Sequence, residues 1–292
     1  MHDIHSILKN YWGYPAFRPL QEDIIRAVLA GQDTLALLPT GGGKSICFQV
    51  PGLALKGVCL VISPLVALMK DQVEQLQQRG IKALAINSAM SHREIDIALD
   101  NCVYGQVKFL YVSPERLKTE LFQQRAAKMK IGLLAIDEAH CISQWGYDFR
   151  PPYLEIAAFR EQLPGVPCIA LTATATAPVK KDIQEKLAFK NPRLFQKSFA
   201  RANLSYSVLA EEGKDARLLQ IMQKVPGTAV VYVRSRKRTQ EIARALQRNG
   251  FSADFYHAGL SARQRAQKQE DWINNKTRTI VATNAFGMGI EK

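Results

Sequence analysis

The sequence of 292 residues is poor in cysteine, and its five cysteines are widely spaced. They include no C-x-x-C pair and lie mostly within apolar stretches, which excludes a disulfide-stapled module and disfavours a zinc site. No apolar run approaches the roughly 20 residues that cross a bilayer, and the first ten residues lack the basic-then-apolar pattern of a secretory signal. We therefore expect a soluble cytoplasmic protein with reduced thiols, no zinc and no membrane partner.

Acidic residues are also scarce, since 26 Asp and Glu stand against 39 Lys and Arg, for a net charge of +13. Apolar residues make up 47% of the chain, which is within the ordinary globular range and excludes a disordered chain. The length suggests two domains. The positive charge favours polyphosphate or nucleic-acid partners, although a solvated basic surface has the same composition.

Short apolar runs recur along the chain, and each is followed by a stretch of helical periodicity. This alternation predicts strands buried on both faces of parallel sheets, with helices as the crossovers. In the first half the predicted strands are 34–38, 58–63, 83–86, 108–112, 132–136 and 167–172. In the second half they are 204–209, 228–233, 253–256 and 278–282, with helices near 214–224, 236–248 and 261–273. We predict an α/β fold with two domains, residues 1–200 and 201–292, the second incomplete at its C-terminus.

A glycine-rich loop, LPTGGGKS at 38–45, follows the first predicted strand and precedes a helix. Backbone N–H groups in such a loop can surround phosphate oxygens at a helix N-terminus, with a lysine at the β- and γ-phosphates and a hydroxyl on magnesium. Leu38 departs from the strict pattern, which has glycine there, and a glycine turn beside a surface lysine is the alternative. The candidate nucleotide ligands are Thr40, Gly41, Gly42, Gly43, Lys44 and Ser45.

Two adjacent carboxylates end the predicted strand in IGLLAIDEAH at 131–140. Asp137 can hold Mg²⁺ through water, and Glu138 can polarise the water that attacks a γ-phosphate. A solvated acidic loop is the alternative for this motif alone. A glycine loop followed by an acid pair, in that order, specifies a nucleoside triphosphatase that uses Mg²⁺, with Lys44, Asp137 and Glu138 catalytic and with Ser45 and Asp137 as metal ligands.

With these motifs the chain resembles the RecQ family of superfamily-two DNA helicases over residues 14–291. The resemblance implies two RecA-like lobes of the P-loop NTPase type. It also implies that Tyr14 stacks on the adenine, that Arg18 and Gln21 contact the nucleotide, and that His140 passes DNA binding to the ATP site. The segment around Arg18 can equally be a plain helix start, with Pro19 in the first turn.

Three further segments resemble family elements that grip DNA or relay between DNA and nucleotide. They are SPLVALMKDQ at 63–72, SPERL at 113–117 and LTATAT at 171–176. Hydroxyls at a helix N-terminus suit phosphate contacts, so Ser63, Pro64 and Ser113 are candidate DNA contacts. Without the resemblance to the family, the pattern of the first segment predicts only a turn between a strand and a helix, with one face of the helix in the core.

The stretch CISQWGYDFRPPY at 141–153 resembles the aromatic-rich loop of the family. Aromatic rings can stack on unpaired bases, and an arginine can bind phosphate. The resemblance implies that Trp145, Phe149 and Arg150 contact DNA and couple its binding to hydrolysis, whereas the period-two spacing alone fits an edge strand equally well. Tyr147 and Pro152 replace the histidine and acidic residue that are usual, which weakens the role given to that histidine.

In the second half, VVYVRSRKR at 230–238 places four cations at a predicted helix start, where they oppose the helix dipole unless solvent or an anion intervenes. A solvated face is the default, but the resemblance implies that Ser235 and Arg236 contact the DNA backbone, as YHAGL at 256–260 does. In IVATNAFGMGIEK at 280–292, it implies that Thr283 contacts DNA and Gly287 approaches ATP. Glu291 stands where Asp is usual.

The resemblance implies an ATP-dependent 3′-to-5′ DNA helicase of repair and recombination, acting on single-stranded and partly duplex DNA at a bacterial nucleoid or in a nucleus. The segment Q-x-x-G-R-x-G-R, which carries the family's arginine finger, would lie beyond Lys292. Such an arginine is worth about 10³–10⁵ in rate, so we expect residues 1–292 to hydrolyse ATP slowly. Two alternatives are an RNA-stimulated ATPase of the same superfamily and a binding module without turnover.

Overall fold

The computed structural model describes residues 3–146, 148–198 and 203–287, and it divides the chain into two compact units. They are Met1–Arg201 and Ala202–Lys292. Each unit has a parallel sheet and buried apolar clusters of its own. The predicted α/β class is therefore confirmed. Among the described residues no helix is both long enough and apolar enough to cross a membrane.

The first unit is built on one parallel sheet of seven described strands in the order β3-β4-β2-β5-β6-β1-β7. All six strands predicted for this half are confirmed. The seventh, β7, was not predicted because it is a largely exposed edge strand without an apolar run. The strands are β1 Thr34–Leu37, β2 Val58–Ile62, β3 Ala83–Ile86, β4 Phe109–Val112, β5 Ile131–Ile136, β6 Cys168–Thr172 and β7 Arg193–Gln196.

Helices cover both faces of this sheet, which explains why its inner strands are continuously apolar. Alternate residues of one strand serve opposite faces: Leu35 packs in the cluster on one side and Ala36 in the cluster on the other. The helices are α1 Ile4–Trp12, α2 Gln21–Leu29, α3 Ile46–Ala54, α4 Val66–Gln78, α5 His92–Tyr104, α6 Glu120–Ala126, α7 Glu155–Glu161 and α8 Ala177–Lys186. Short 3₁₀ turns lie at Pro114–Lys118, Ala139–Ile142 and Pro151–Leu154.

The second unit has a parallel sheet of three described strands in the order β8-β10-β9. Its elements are α9 Lys214–Lys224, β8 Ala229–Tyr232, α10 Arg236–Arg248, β9 Ala253–Tyr256, α11 Ala262–Ile273 and β10 Thr279–Ala282. The three predicted helices and three of the predicted strands are confirmed. The strand predicted at 204–209 is wrong: described residues 203–212 form neither strand nor helix, and Val208 is 98% exposed. Its apolar residues alternate, but they have no sheet face to pack on.

Candidate nucleotide site and nucleic-acid surface

The glycine loop lies directly after β1, at the carboxyl edge of the first sheet, and α3 follows it. Gly41 and Gly43 have φ values of 73° and 75°, in the left-handed region that favours glycine. A Cβ on Gly42 would lie 2.7 Å from the Pro39 carbonyl oxygen. The loop therefore needs small residues, and it brings Thr40, Lys44 and Ser45 to the start of α3, as phosphate binding requires.

Arg18 and Gln21 hold this loop through its carbonyl groups. Arg18 Nη1 donates to Gly41 O over 2.7 Å, and Gln21 Nε2 donates to Gly43 O over 3.0 Å. The Arg18 backbone N–H donates to Gln21 Oε1 over 2.8 Å, which fixes the amide orientation. These side chains engage carbonyl groups of the loop and none of its N–H groups; within the loop itself, the Gly42 N–H donates to the Pro39 carbonyl oxygen over 2.9 Å. A direct contact of either side chain with nucleotide stays a prediction, as does stacking by the exposed ring of Tyr14.

The acid pair lies at the carboxyl end of β5. Asp137 is 5% exposed, and its Oδ1 accepts from the Glu138 backbone N–H over 3.0 Å. Glu138 has φ 48° and ψ 45°, an uncommon left-handed conformation for a residue with a side chain. The buried Tyr153 hydroxyl donates to the Asp137 carbonyl oxygen over 2.9 Å. The pair is thus fixed by the strand on one side and by Tyr153 on the other.

The two carboxyls of the acid pair differ in pKa. Burial, followed by the charge of Glu138, raises the pKa of Asp137 to about 6. Burial also acts to raise the pKa of Glu138, but the hydrogen bond from His140 and the charge of Lys44 together lower it below its ordinary value. The Lys44 ammonium acts on both groups. A buried carboxylate beside a second one gains stability from a divalent cation, so the pair fits Mg²⁺.

The donor set also fits magnesium. Ser45 and Asp137 offer a hydroxyl and a carboxylate, the oxygen donors that Mg²⁺ prefers, and this ion usually keeps several waters and takes phosphate oxygens. In the described part of the chain, His, Cys, Asp and Glu form no group of three or more that could hold a metal by themselves. A metal here would depend on nucleotide phosphates for part of its coordination.

His140 connects the acid pair to the LTATAT segment. Its Nδ1 lies 2.9 Å from Thr172 Oγ1 and 3.2 Å from Glu138 Oε2. Thr172 Oγ1 also accepts from the Thr174 backbone N–H over 3.2 Å. From the sequence we predicted this segment to be a relay without singling out Thr172, which is buried at the end of β6 and contacts His140.

The aromatic-rich loop follows the acid pair, and its rings have different environments. Trp145 is 74% exposed, Tyr153 is buried and Phe149 is half-buried. The edge-strand interpretation is wrong for described residues 148–154, which form no strand and include a 3₁₀ turn. Tyr147 lies outside the described residues. Trp145 is thus the ring that can accept a base without rearrangement.

Arg150 is bound within the protein rather than free for phosphate. Its Nη2 lies 3.0 Å from Asp148 Oδ2, and its Nη1 donates to the Pro64 carbonyl oxygen over 3.1 Å. Arg150 therefore ties the aromatic loop to the segment after β2. Ser63 in that segment is 2% exposed, so a DNA contact by its hydroxyl requires the segment to move. Ser113 is half-buried at the start of a 3₁₀ turn, and its contact with DNA also stays a prediction.

In the second unit, the cations at the start of α10 are partly neutralised by the protein itself. Ser235 Oγ accepts from the Arg238 backbone N–H over 3.2 Å and caps the helix. The Arg238 guanidinium pairs with Asp215 over 2.6 Å and with Glu241 over 3.2 Å. Arg238 thus has carboxylate partners where the sequence left a choice between solvent and a bound anion.

Arg236 and His257 come together over Gly259. A Cβ on Gly259 would lie 2.9 Å from Arg236 Nη1 and 3.3 Å from His257 Nδ1. His257 is 6% exposed, and its Nδ1 has no hydrogen-bond partner among the described residues. Two nitrogen groups therefore face one small space. From the sequence we identified YHAGL at 256–260 as a family element but did not name His257 as a candidate residue. Its position directly after a predicted strand could have indicated it.

Gly287 and Thr283 lie after β10, near the end of the described chain. Gly287 has φ 132°, and a Cβ there would lie 2.6 Å from Tyr232 Oη. The Tyr232 hydroxyl donates to the Phe286 carbonyl oxygen over 2.9 Å. Thr283 is half-buried. Roles for these residues toward ATP and DNA stay predictions, and Glu291 lies outside the described residues.

Comparison with known protein families gives two matches along the chain. Residues 18–183 match the DEAD/DEAH box helicase family, and residues 213–291 match the helicase conserved C-terminal domain. The first match covers more than half of the chain and contains the glycine loop, the acid pair and the aromatic loop.

Full-length relatives extend the match. The chain is 43% identical over 289 residues to the ATP-dependent DNA helicase RecQ of Haemophilus influenzae, covering 98% of this chain and 46% of that protein. It is 43% identical over 295 residues to the protein of the same name from Bacillus subtilis, covering 100% of this chain and 50% of that one. A putative ATP-dependent DNA helicase Q1 of Caenorhabditis briggsae is 39% identical over 303 residues, which cover 99% of this chain and 49% of that protein. The chain spans about half the length of these relatives.

Solved structures share the fold at low identity. The helicase MrfA bound to DNA and AMPPNP has a TM-score of 0.75 at 17% identity, covering 99% of this chain and 45% of that one. The Mycobacterium smegmatis helicase Lhr, bound to single-stranded DNA and AMP-PNP, has a TM-score of 0.67 at 18% identity, with 96% and 41% covered. At this identity the likeness concerns the fold alone.

Proposed function

Because this chain belongs to the DEAD/DEAH box helicases and is of the RecQ type, we propose that it acts as an ATP-dependent DNA helicase. The observation that carries the proposal is the Asp137–Glu138 pair, in which Asp137 is buried and Glu138 half-buried, beside the Lys44 charge at the sheet edge that also carries the glycine loop. A buried pair of this kind has little structural value by itself. It becomes useful when a metal and a triphosphate are bound.

Each group has a distinct task in this proposal. The loop N–H groups and Lys44 bind the phosphates, and Ser45 and Asp137 would hold Mg²⁺, whose charge would offset that of the phosphates. Glu138, whose pKa is lowered, stays ionised and accepts a proton from the attacking water. His140 orients Glu138 and joins it to Thr172. Tyr14 stacks on the base.

A single-stranded polynucleotide is the proposed substrate because an exposed aromatic ring, on which any base can stack, follows the catalytic pair, and DNA is proposed because relatives are named as DNA helicases. Trp145 offers a stacking surface, and Arg236 with His257 offers a phosphate site in the second unit. Relatives named as DNA helicases support the same substrate. We further propose single-stranded DNA as the track, 3′-to-5′ movement, a role in repair or recombination, and a location at the nucleoid or in a nucleus.

Phosphate release, measured with single-stranded DNA and with RNA of equal length and sequence, tests the proposal. We expect stimulation by DNA to exceed stimulation by RNA, and equal stimulation would favour an RNA-stimulated ATPase instead. The slow turnover expected from the sequence stays a prediction, so binding is measured beside turnover. DNA affinity that does not change with a non-hydrolysable ATP analogue would favour a binding module without turnover.

Unwinding of two partly duplex DNAs, one with a 3′ tail and one with a 5′ tail, tests the direction of movement. We expect the 3′-tailed molecule to be opened faster at equal protein concentration. Preference for the 5′ tail would contradict the direction while leaving the ATPase proposal intact.

A further inference from the structure

Ser143 lies at the base of the aromatic-rich loop, and its side chain is fully buried at 0% exposure. Its hydroxyl donates to Asp182 Oδ2 over 2.7 Å and accepts from the Trp145 backbone N–H over 3.2 Å. A hydroxyl has one proton to give, so donation to Asp182 directs its lone pairs toward Trp145. The orientation of the loop start is thus determined by a residue on another element, α8.

Asp182 is held as a carboxylate by its surroundings. The Ser143 hydroxyl and the Lys186 ammonium lower its pKa, with the Ser143 bond as the largest cause. Lys186 Nζ lies 3.2 Å from Asp182 Oδ2 and donates to the Ile142 carbonyl oxygen over 3.3 Å. The Ser143–Asp182–Lys186 cluster therefore binds α8 to both the side chain and the backbone of the loop base.

The same helix is connected to the catalytic histidine. It begins at Ala177, directly after the segment in which Thr172 contacts His140. The loop and the β6–α8 segment are therefore joined twice, at His140 beside the acid pair and at Ser143 beside the exposed tryptophan. Because Ser143 binds the Trp145 backbone N–H, a shift of the loop backbone at Trp145 would strain one of these connections or move α8.

We propose that Ser143 and Asp182 are positioning residues that hold Trp145 in place. Through α8, they transmit the contact of Trp145 with DNA to the His140–Thr172 contact, which precedes the start of that helix. The proposal rests on the proposed function, because it assigns a path between its DNA surface and its ATP site. Neither residue touches nucleotide, and both act through other groups. Charge-assisted hydrogen bonds such as Ser143 to Asp182 are the stronger ones in proteins, which suits a rigid connection.

The first test compares DNA stimulation of ATP hydrolysis in Ser143→Ala and Asp182→Ala. We expect each variant to lose stimulation by about tenfold, with DNA-free hydrolysis and nucleotide affinity within about twofold of the parent chain. Asp182→Asn keeps an oxygen acceptor for Ser143 and should retain most of the stimulation. Because the two residues share one bond, the double variant should lose no more than either single variant.

The control is Glu185→Ala on the same helix. Glu185 pairs only with the exposed Lys181, over 3.7 Å, among the described residues. We expect its stimulation to match that of the parent chain. If Glu185→Ala lost as much DNA stimulation as Asp182→Ala, the effect would come from the stability of α8, and the proposal would be overturned. A double variant whose loss of stimulation equals the product of the two single losses would also overturn it.

A second measurement does not depend on hydrolysis. In residue-resolved amide exchange, Ser143→Ala removes the acceptor of the Trp145 N–H, and we expect its exchange to rise by about tenfold or more. Gly146, whose N–H donates to the Ser143 carbonyl oxygen over 3.1 Å, is the internal reference. Unchanged exchange at Trp145 would overturn the positioning role. A parent chain without DNA stimulation would overturn the proposed function instead, and exchange would then decide the positioning role alone.

Discussion

At the scale of single residues, Lys44 is the cation that acts on both members of the acid pair. We expect Lys44→Ala to weaken ATP binding by at least about tenfold, because charge-assisted contacts to phosphate are lost. The fold should remain, since Lys44 is half-buried and outside the apolar clusters. Calorimetric titration measures the affinity, with Lys181→Ala as the control. Unchanged affinity in Lys44→Ala would contradict its role.

Asp182 provides a pH-dependent prediction. Its folded pKa is lower than its ordinary value of 3.8, so the folded state binds fewer protons than the unfolded state around that pH. Its stabilising contribution is present above the ordinary value and is lost as the pH falls through the folded value. At pH 7 we expect Asp182→Ala to melt about 2–4 °C below the parent chain, and the difference should shrink below about pH 4. Thermal melts between pH 3 and 7 measure this, and a constant difference would contradict it.

The sequence could single out candidate side chains, but it could not show what they touch. The Asp137–Glu138 pair follows from a strand that ends in two acids, and the structure brings Lys44 close enough to act on both. Arg18, by contrast, bonds to a loop carbonyl and Arg150 to Asp148 and Pro64. Gly41 and Pro64 lie far along the chain from these arginines, and only the packed sheet brings them together, so no local pattern could reveal them. Asp148, two residues from Arg150, is a local partner.

At the scale of elements, two helices start with reciprocal capping boxes. In α5, Ser91 accepts from the Glu94 N–H and Glu94 accepts from the Ser91 N–H; in α11, Ser261 and Gln264 do the same. We expect Ser91→Ala to cost about 1 kcal/mol of unfolding free energy, within the 0.5–2 kcal/mol typical of such caps. Urea denaturation measures the cost, and the exposed Ser88→Ala is the control. A loss no larger than that of Ser88→Ala would contradict the assignment.

Strands were predictable where both faces are buried and unpredictable at edges. The inner strands of the first sheet are continuous apolar runs, and each appeared where expected. The edge strand β7 has mostly exposed residues, whereas 204–209 alternates in the manner of a strand and pairs with none that is described. Strand formation depends on pairing with a neighbouring strand as well as on composition, and a local sequence pattern does not show whether such a strand is present.

At the scale of the whole molecule, each unit has its own apolar clusters, so we expect two unfolding transitions. Leu35, in β1, and Ile280, in β10, are both 0% exposed. Replacing either by alanine should cost about 2–5 kcal/mol in its own unit. Differential scanning calorimetry of the two variants should show one transition lowered in each case, and a different one. A single transition lowered by both substitutions would contradict independent unfolding.

The division into two units was visible in the sequence because strand and helix patterns restart in the second half, and residues 200 and 201 mark nearly the same point as the division in the structure. The ion pair between Arg238 of α10 and Asp215 could not be predicted from the sequence, because the two residues are 23 positions apart. Overall charge favoured polyphosphate or nucleic-acid partners but could not predict which cations the protein neutralises itself.

Tyr206 and Val208 lie almost entirely in solvent within the stretch 203–212, which forms neither helix nor strand. Chymotrypsin cleaves after tyrosine in exposed, irregular segments, so it should cut there before it reaches either sheet. Brief digestion then becomes a preparative route: the half with the glycine loop and the arginine-rich half could be separated, purified and studied as individual proteins.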